Sequence, residues 1–290
     1  MAFMPLLLEV PWRRYFWLVS VTVLGSAAGI LLLSTDSNLL VRLILALQLS
    51  IARAVESFDY GIILFLNKFA HRSWSFDTVF YLIDANAPGA FPLAAGIWWA
   101  WFREGDKKDR NREYLLFGMI SMLVAIVATR ILASSLPFRE RPLRNPLLHF
   151  QFPYHVSPEH LLGWSSFPSD HGAMWFSLVV TMLFVSRRAG VLLLVYVCLG
   201  PALSRIYMGT HYPTDIIAGG LIGAGAASLA RYPAIRIPVI RWPLEWIRKA
   251  PQVFYSCMFL ITAEVAEGFG SAIDLARFVI LSLKAALNLH

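Results

Sequence analysis

Charge is what this chain has least of. Only 15% of its 290 residues are Asp, Glu, Lys or Arg, against about 25% in soluble domains. Hydrophobic residues make up 58%. So little charge excludes an ordinary water-soluble domain. Cysteine is nearly missing as well. Cys198 and Cys257 both lie in apolar runs, too few for a disulfide framework or a thiolate metal site. Acidic residues are outnumbered, 18 against 25 basic, which leaves a formal net charge of +7. No basic–aromatic cluster accompanies that excess, so it argues for anchoring loops beside a membrane and against nucleic acid. No internal repeat is visible.

What is abundant is apolar length. A bilayer needs roughly 20 apolar residues per helix, and runs near 15–34, 88–102, 114–136, 171–187, 189–208 and 213–230 approach that. Only helices and closed barrels satisfy their backbone in lipid. The chain therefore reads as an all-α, multi-pass transmembrane helical bundle of about six spans, with interfacial helices. Arg13 and Arg14 precede the first run as in a signal peptide. The run is long, however, and no clear small-residue cleavage site follows, so it reads as a retained span. Between 35 and 88 the charges Arg42, Arg53, Glu56, Asp59, Lys68 and Arg72 recur among apolar residues, a pattern of interfacial helices. The alternative is a span over 38–58. Beyond Pro251, Glu264, Glu267, Asp274, Arg277 and Lys284 keep to one side of a helix, again an interfacial pattern, or a partner-binding one. Three parts follow: 1–58 as an N-terminal span and interfacial helix, 59–232 as a membrane core, and 233–290 as an interfacial extension on the cytoplasmic side.

Basic residues set the expected orientation. Arg103, Lys107, Lys108, Arg110 and Arg112 fall on the same side as Arg187 and Arg188, and as the run from Arg231 to Lys249. By the positive-inside tendency that side is cytoplasmic. Trp98, Trp99 and Trp101 read as an interfacial belt. The opposite helix ends then face outward from a cell (inner) membrane. They carry "RILASSLPFRERP", "FPSDH" and "SRIYMGTHYPTD".

The residue types in those three segments suit a phosphate. Several guanidinium groups around one point match phosphate oxygens. Ser169 or Asp170 can cap the helix that begins near His171, whose free N–H groups favour an anion. Pro213 fits a first helical position, placing Asp215 in the first turn, where it can reach back to a ring nitrogen of His211. The other nitrogen is then free to attack, and His171 can pass a proton to the leaving group. His149, His155 and His160 fit no standard metal spacing. No metal and no cofactor are expected.

Together the segments resemble the signature of the type 2 phosphatidic acid phosphatases, a superfamily that includes vanadium haloperoxidases and bacterial acid phosphatases. Its pattern is Lys, six residues, Arg-Pro; then Pro-Ser-Gly-His; then Ser-Arg, five residues, His, three residues, Asp. The third part is met by Ser204, Arg205, His211 and Asp215, and the resemblance covers roughly 59–230. It implies a helical bundle in which His211 forms a phosphohistidine, Asp215 orients it, and His171 is acid and then base. It further implies that Arg141, Ser169 and Arg205 hold the phosphoryl oxygens. Two positions depart from the pattern. Ser134 stands where the lysine belongs, and Arg130, one turn earlier, or Arg139 would replace it. Asp170 stands where Gly is usual and is counted in the phosphate-binding set, with Arg139 as the expected counter-ion. The resemblance implies an integral membrane phosphatase acting on a lipid phosphate or diphosphate at the outer face, with undecaprenyl diphosphate the leading substrate and phosphatidic acid, phosphatidylglycerol phosphate or a lipid A phosphate close behind it. Its partners are the lipid substrate and the bilayer, and its oligomeric state is not legible. A lipid phosphotransferase and a non-catalytic lipid-binding or transport protein are the alternatives.

Overall fold

The computed structural model describes residues 37–85, 89–157, 159 and 161–268. The run at 15–34, His160 and the charges from Asp274 onward lie outside them. The described residues form nine helices and no strand. They are α1 (Ser37–Asn67), α2 (Trp74–Ala85), α3 (Phe91–Phe102) and α4 (Lys108–Ser135). After a long loop come α5 (Asp170–Val185), α6 (Arg187–Tyr207), α7 (Pro213–Ser228), α8 (Pro233–Lys249) and α9 (Pro251–Ala266).

Helices α4 and α6, and α7 extended to Arg231, are long and apolar enough to cross a membrane. The expected span at 88–102 is instead the 12-residue α3, only ~18 Å long. Its three tryptophans do not act alike as a belt. Trp101 is wholly buried, Trp98 is packed against the core, and Trp99 is half exposed.

The centre of the bundle is α5, packed between α4 and α7. In lipid, helices gain little from hydrophobicity and associate through small residues that let backbones approach. Here Gly219 and Gly223 of α7 lie against the backbone of α5. A Cβ on Gly219 would come within 1.9 Å of the Ser169 carbonyl oxygen, and one on Gly223 within 1.9 Å of that of Ala173. This contact brings the N-terminal ends of both helices together. The Ser169 amide donates to the Asp215 carbonyl at 3.1 Å. On the other side, Gly118 of α4 receives Thr181 of α5.

Near its end, α6 widens into a π-turn over Cys198–Ala202 around Pro201. Proline removes a backbone donor, and such turns recur beside functional sites. The turn precedes Ser204 and Arg205.

The expected interfacial segments differ from what forms. Residues 37–67 make one 31-residue helix, so the expected boundary between 58 and 59 falls inside α1. The chain after Pro251 does not stay at the basic end of the bundle either. Helix α8 crosses the basic end, where Arg236 Nε is 3.3 Å from Glu113 Oε2 at the start of α4. Helix α9 then runs back along α3. Phe254 stacks on Trp101, and Trp98 Nε1 donates to Thr262 Oγ1 at 3.0 Å. The apolar face of α9 buries Phe254, Met258, Val265 and Ala266, and burial against α3 keeps it in the bundle. Its end reaches the opposite face, where the candidate site lies.

Candidate active site

A cavity of about 670 Å³ opens where α4 ends and α5 and α7 begin. Of the expected residues, Arg130, Arg141, Asp170, His171, Arg205 and His211 line it, together with Ser134. Ser169, Arg139 and Asp215 stand behind its wall.

His211 is in the short loop between α6 and α7 and is only 3% exposed. Its Nδ1 is 2.9 Å from the Ser166 carbonyl oxygen. Asp215 Oδ2 is 3.6 Å from the same nitrogen, beyond hydrogen-bond range. The expectation that Asp215 directly takes the ring proton is thus corrected. The Ser166 carbonyl fixes the tautomer and Asp215 supplies charge nearby. Burial, reinforced by the Arg141 guanidinium, pushes His211 down to about 4. The imidazole is therefore neutral at neutral pH, as a nucleophile must be. Its Nε2 is 3.5 Å from Arg141 Nη1.

Arg141 is held rigidly by main-chain oxygens. Nε donates to Trp164 at 3.2 Å, Nη2 to Ser165 at 3.3 Å, and Nη1 to Thr210. Burial, with the Arg205 guanidinium nearby, pushes it down to about 10, so it stays a cation at neutral pH. Arg205 meets Asp84 of α2 at 2.9 Å. Neither atom of that contact has a hydrogen-bond partner, so the two charges meet without a bonded geometry and the guanidinium keeps donors for an anion.

Arg139 is not a phosphate ligand. It lies between two buried carboxylates, with Nη1 on Asp215 Oδ1 and Nη2 on Asp59 Oδ2 at 2.7 Å. Its guanidinium carbon is 4.1 Å from the Tyr212 ring centroid. Burial opposes its charge, but Asp215 and Asp59 outweigh burial. Asp59 also accepts from Thr214 N at 3.0 Å and Thr214 Oγ1 at 2.5 Å. Asp215 in turn accepts from Ser166 Oγ and from Tyr212 N at 2.8 Å. This network clamps the start of α7 and so places His211.

Ser169 is the N-cap of α5, its Oγ accepting from Gly172 N at 3.2 Å. It does not reach the cavity wall, so its expected role as a phosphate ligand is corrected. Asp170 is not a phosphate ligand and does not pair with Arg139. Its Oδ2 pairs with Arg130 Nη2, and its Oδ1 lies 2.8 Å from His171 Nδ1. A carboxylate offers no donor to a phosphate. Arg130 also lies over the Trp164 ring, 4.5 Å from its centroid.

Sequence reasoning missed Asp84, Ser166, Glu267 and Gly268, and it placed Asp59 in an interfacial helix. Asp59 carried a signal, since a carboxylate among the apolar residues of a membrane protein marks a function by default. Glu267 and Gly268 carried none, because they reach the cavity wall only through the return of α9. His155 sits apart, with Nε2 3.0 Å from Thr78 Oγ1.

Two histidines, His211 buried and His171 partly buried, and three cavity-lining arginines at one end of an apolar helix bundle suit an anion at a membrane face. The chain belongs to the PAP2 superfamily, whose pattern it matches over residues 114–234, and to its membrane lipid phosphatase branch. It is 30% identical over 164 residues to the bacitracin transport permease protein BcrC of Bacillus licheniformis, covering 55% of this chain and 73% of that protein. The undecaprenyl-diphosphatase BcrC of Bacillus subtilis (strain 168) is 25% identical, with 57% of this chain and 78% of the relative covered. The decaprenylphosphoryl-5-phosphoribose phosphatase of Mycobacterium tuberculosis (strain ATCC 25618 / H37Rv) is 32% identical over 41% of this chain and 60% of its own length. No solved structure matches the chain. The chain is a lipid phosphatase hydrolase.

Proposed function

We propose that the protein hydrolyses a polyprenyl diphosphate, undecaprenyl diphosphate in the first instance, at the outer face of the cell membrane through phospho-His211. The observation that carries this reading is the state of His211. It is buried, it is neutral at neutral pH, its Nδ1 is engaged by Ser166, and its Nε2 is beside a fixed arginine. A nucleophile so placed is aimed at a phosphoryl group. The relatives that act on undecaprenyl and decaprenyl lipids support the substrate class. The outward orientation is supported by the basic starts of α4 and α6 and by Arg231 after α7, all at the end away from the cavity.

In the first step His211 Nε2 attacks the terminal phosphorus, the bond to the bridging oxygen breaks, and the lipid monophosphate leaves with a proton from His171. In the second, His171 takes a proton from water, the oxygen attacks phosphorus, the P–N bond breaks, and inorganic phosphate leaves. Arg141 and Arg205 face the charge that develops on the phosphoryl oxygens, with Arg130 beside them.

The test is phosphate release by the purified protein on undecaprenyl diphosphate, with His211→Ala alongside. Wild type is expected to turn over and to yield an acid-labile phosphoenzyme, and His211→Ala neither. Binding of the lipid without phosphate release would favour a non-catalytic lipid-binding or transport protein. Transfer of phosphate to an alcohol in place of water would favour a phosphotransferase.

A further inference from the structure

We propose that Asp170 is a positioning residue for the proton-transfer histidine, holding His171 through both steps of the reaction. This inference rests on the phosphatase reading above and adds to it a part that the family pattern, with Gly at this position, does not provide.

The geometry is specific. Oδ1 of Asp170 lies 2.8 Å from His171 Nδ1 and accepts the His171 main-chain N–H at 2.8 Å. Oδ2 is paired with Arg130. One carboxylate therefore joins the ring to a cation on α4. All three residues line the cavity, and the Asp170 side chain is only 14% exposed. The ring is further fixed edge-on against Trp175, with centroids 5.6 Å apart.

The consequence is chemical. A histidine whose Nδ1 proton is held by a carboxylate has one tautomer and one orientation. When His171 is doubly protonated, Nδ1–H stays on Asp170 and Nε2–H points to the leaving oxygen. As the P–O bond breaks, its electron pair goes to the leaving oxygen, which takes the Nε2 proton, while the N–H pair stays on Nε2 as the lone pair of the neutral ring. Nε2 is then already aimed as the base for water. No proton passes to Asp170, and no other reactant is needed. The Arg130 pairing keeps the carboxylate from meeting the substrate's charge unneutralised, which a bare Asp in a phosphate site would do.

A positioned acid matters most when the leaving group is poor. The experiment compares kcat/KM for decyl phosphate, whose leaving alkoxide needs a proton, with p-nitrophenyl phosphate, whose phenolate leaves without one. This ratio reports the step up to departure of the leaving group. Asp170→Asn is near-isosteric, Asp170→Gly restores the family residue, and a thermal melt of each in detergent checks folding. Both variants are expected to lose about 30–100-fold on decyl phosphate, at or below the roughly 100-fold lower end of what a general acid contributes, because His171 itself remains. They should lose at least tenfold less on p-nitrophenyl phosphate. Equal losses on the two esters, or no loss on either, would overturn the inference while leaving the phosphatase reading intact. Failure of wild type to release phosphate from both esters and from undecaprenyl diphosphate would overturn both.

Discussion

Replacing Arg139 by Met tests the assignment of this arginine to the scaffold. Arg139 is only 8% exposed and its partners Asp59 and Asp215 are fully buried. Methionine keeps much of the side-chain volume but leaves two buried carboxylates without their shared cation. Breaking a buried pair in this way costs about 3–5 kcal/mol, because the remaining charge is uncompensated. At roughly 2–4 °C per kcal/mol, the melting midpoint in detergent should fall by about 6–20 °C. Turnover should fall as well, since Asp215 and the start of α7 lose their clamp. Asp59→Asn placed on the Arg139→Met background removes one stranded charge and should recover part of the midpoint. Vanadate, a phosphate mimic, measures the other possibility. An Arg139→Met protein with an unchanged midpoint and lost vanadate affinity would return Arg139 to the cavity and refute the network as a scaffold.

Two further perturbations follow from the same site. The His211 imidazole is pushed down to about 4 in the folded protein from an ordinary 6.5, so the unfolded chain binds the extra proton between those values. The contribution is fully present above about pH 6.5 and is lost as pH falls toward 4, roughly 3 kcal/mol in all. Wild type should therefore lose stability from pH 7 to pH 5 more steeply than His211→Gln, and parallel melting curves would contradict the buried neutral ring. At the end of α9, Gly268 has φ +64°, and a Cβ there would come within 2.7 Å of His171 Nε2. Gly268→Val should cut kcat about tenfold or more through strain and displacement of the ring, the scale of a misplaced catalytic group. Full activity would mean that the segment does not pack on the acid histidine.

Much of the site was legible because its chemistry is written in short segments. His171 follows Pro-Ser-Asp directly, and His211 and Asp215 flank Pro213. Helix starts put such residues at a membrane face whatever the neighbours are. Arg130 was legible for a different reason, as a lone cation in an apolar run. Arg139 was misread because its partner Asp59 lies 80 residues upstream, and no local pattern reveals that pairing.

Composition alone determined the class of this protein, since a chain with so little charge can satisfy its backbone in lipid only as helices or a closed barrel. The order of the three segments likewise pointed to the proposed chemistry, because residue type decides which side chain can attack, protonate or hold an anion. Tertiary structure decided which of several equivalent groups does each task. Arg130, and not Arg139, meets Asp170, because α4 ends beside the start of α5, while the chain after α4 turns Arg139 inward between α1 and α7. The Ser166 carbonyl, and not Asp215, takes the nearer place at His211 Nδ1. Helix α9 closes on the cavity because its apolar face is complementary to α3. A charge or an apolar face fixes what kind of partner a residue needs, but which partner it meets depends on contacts between segments far apart in the chain.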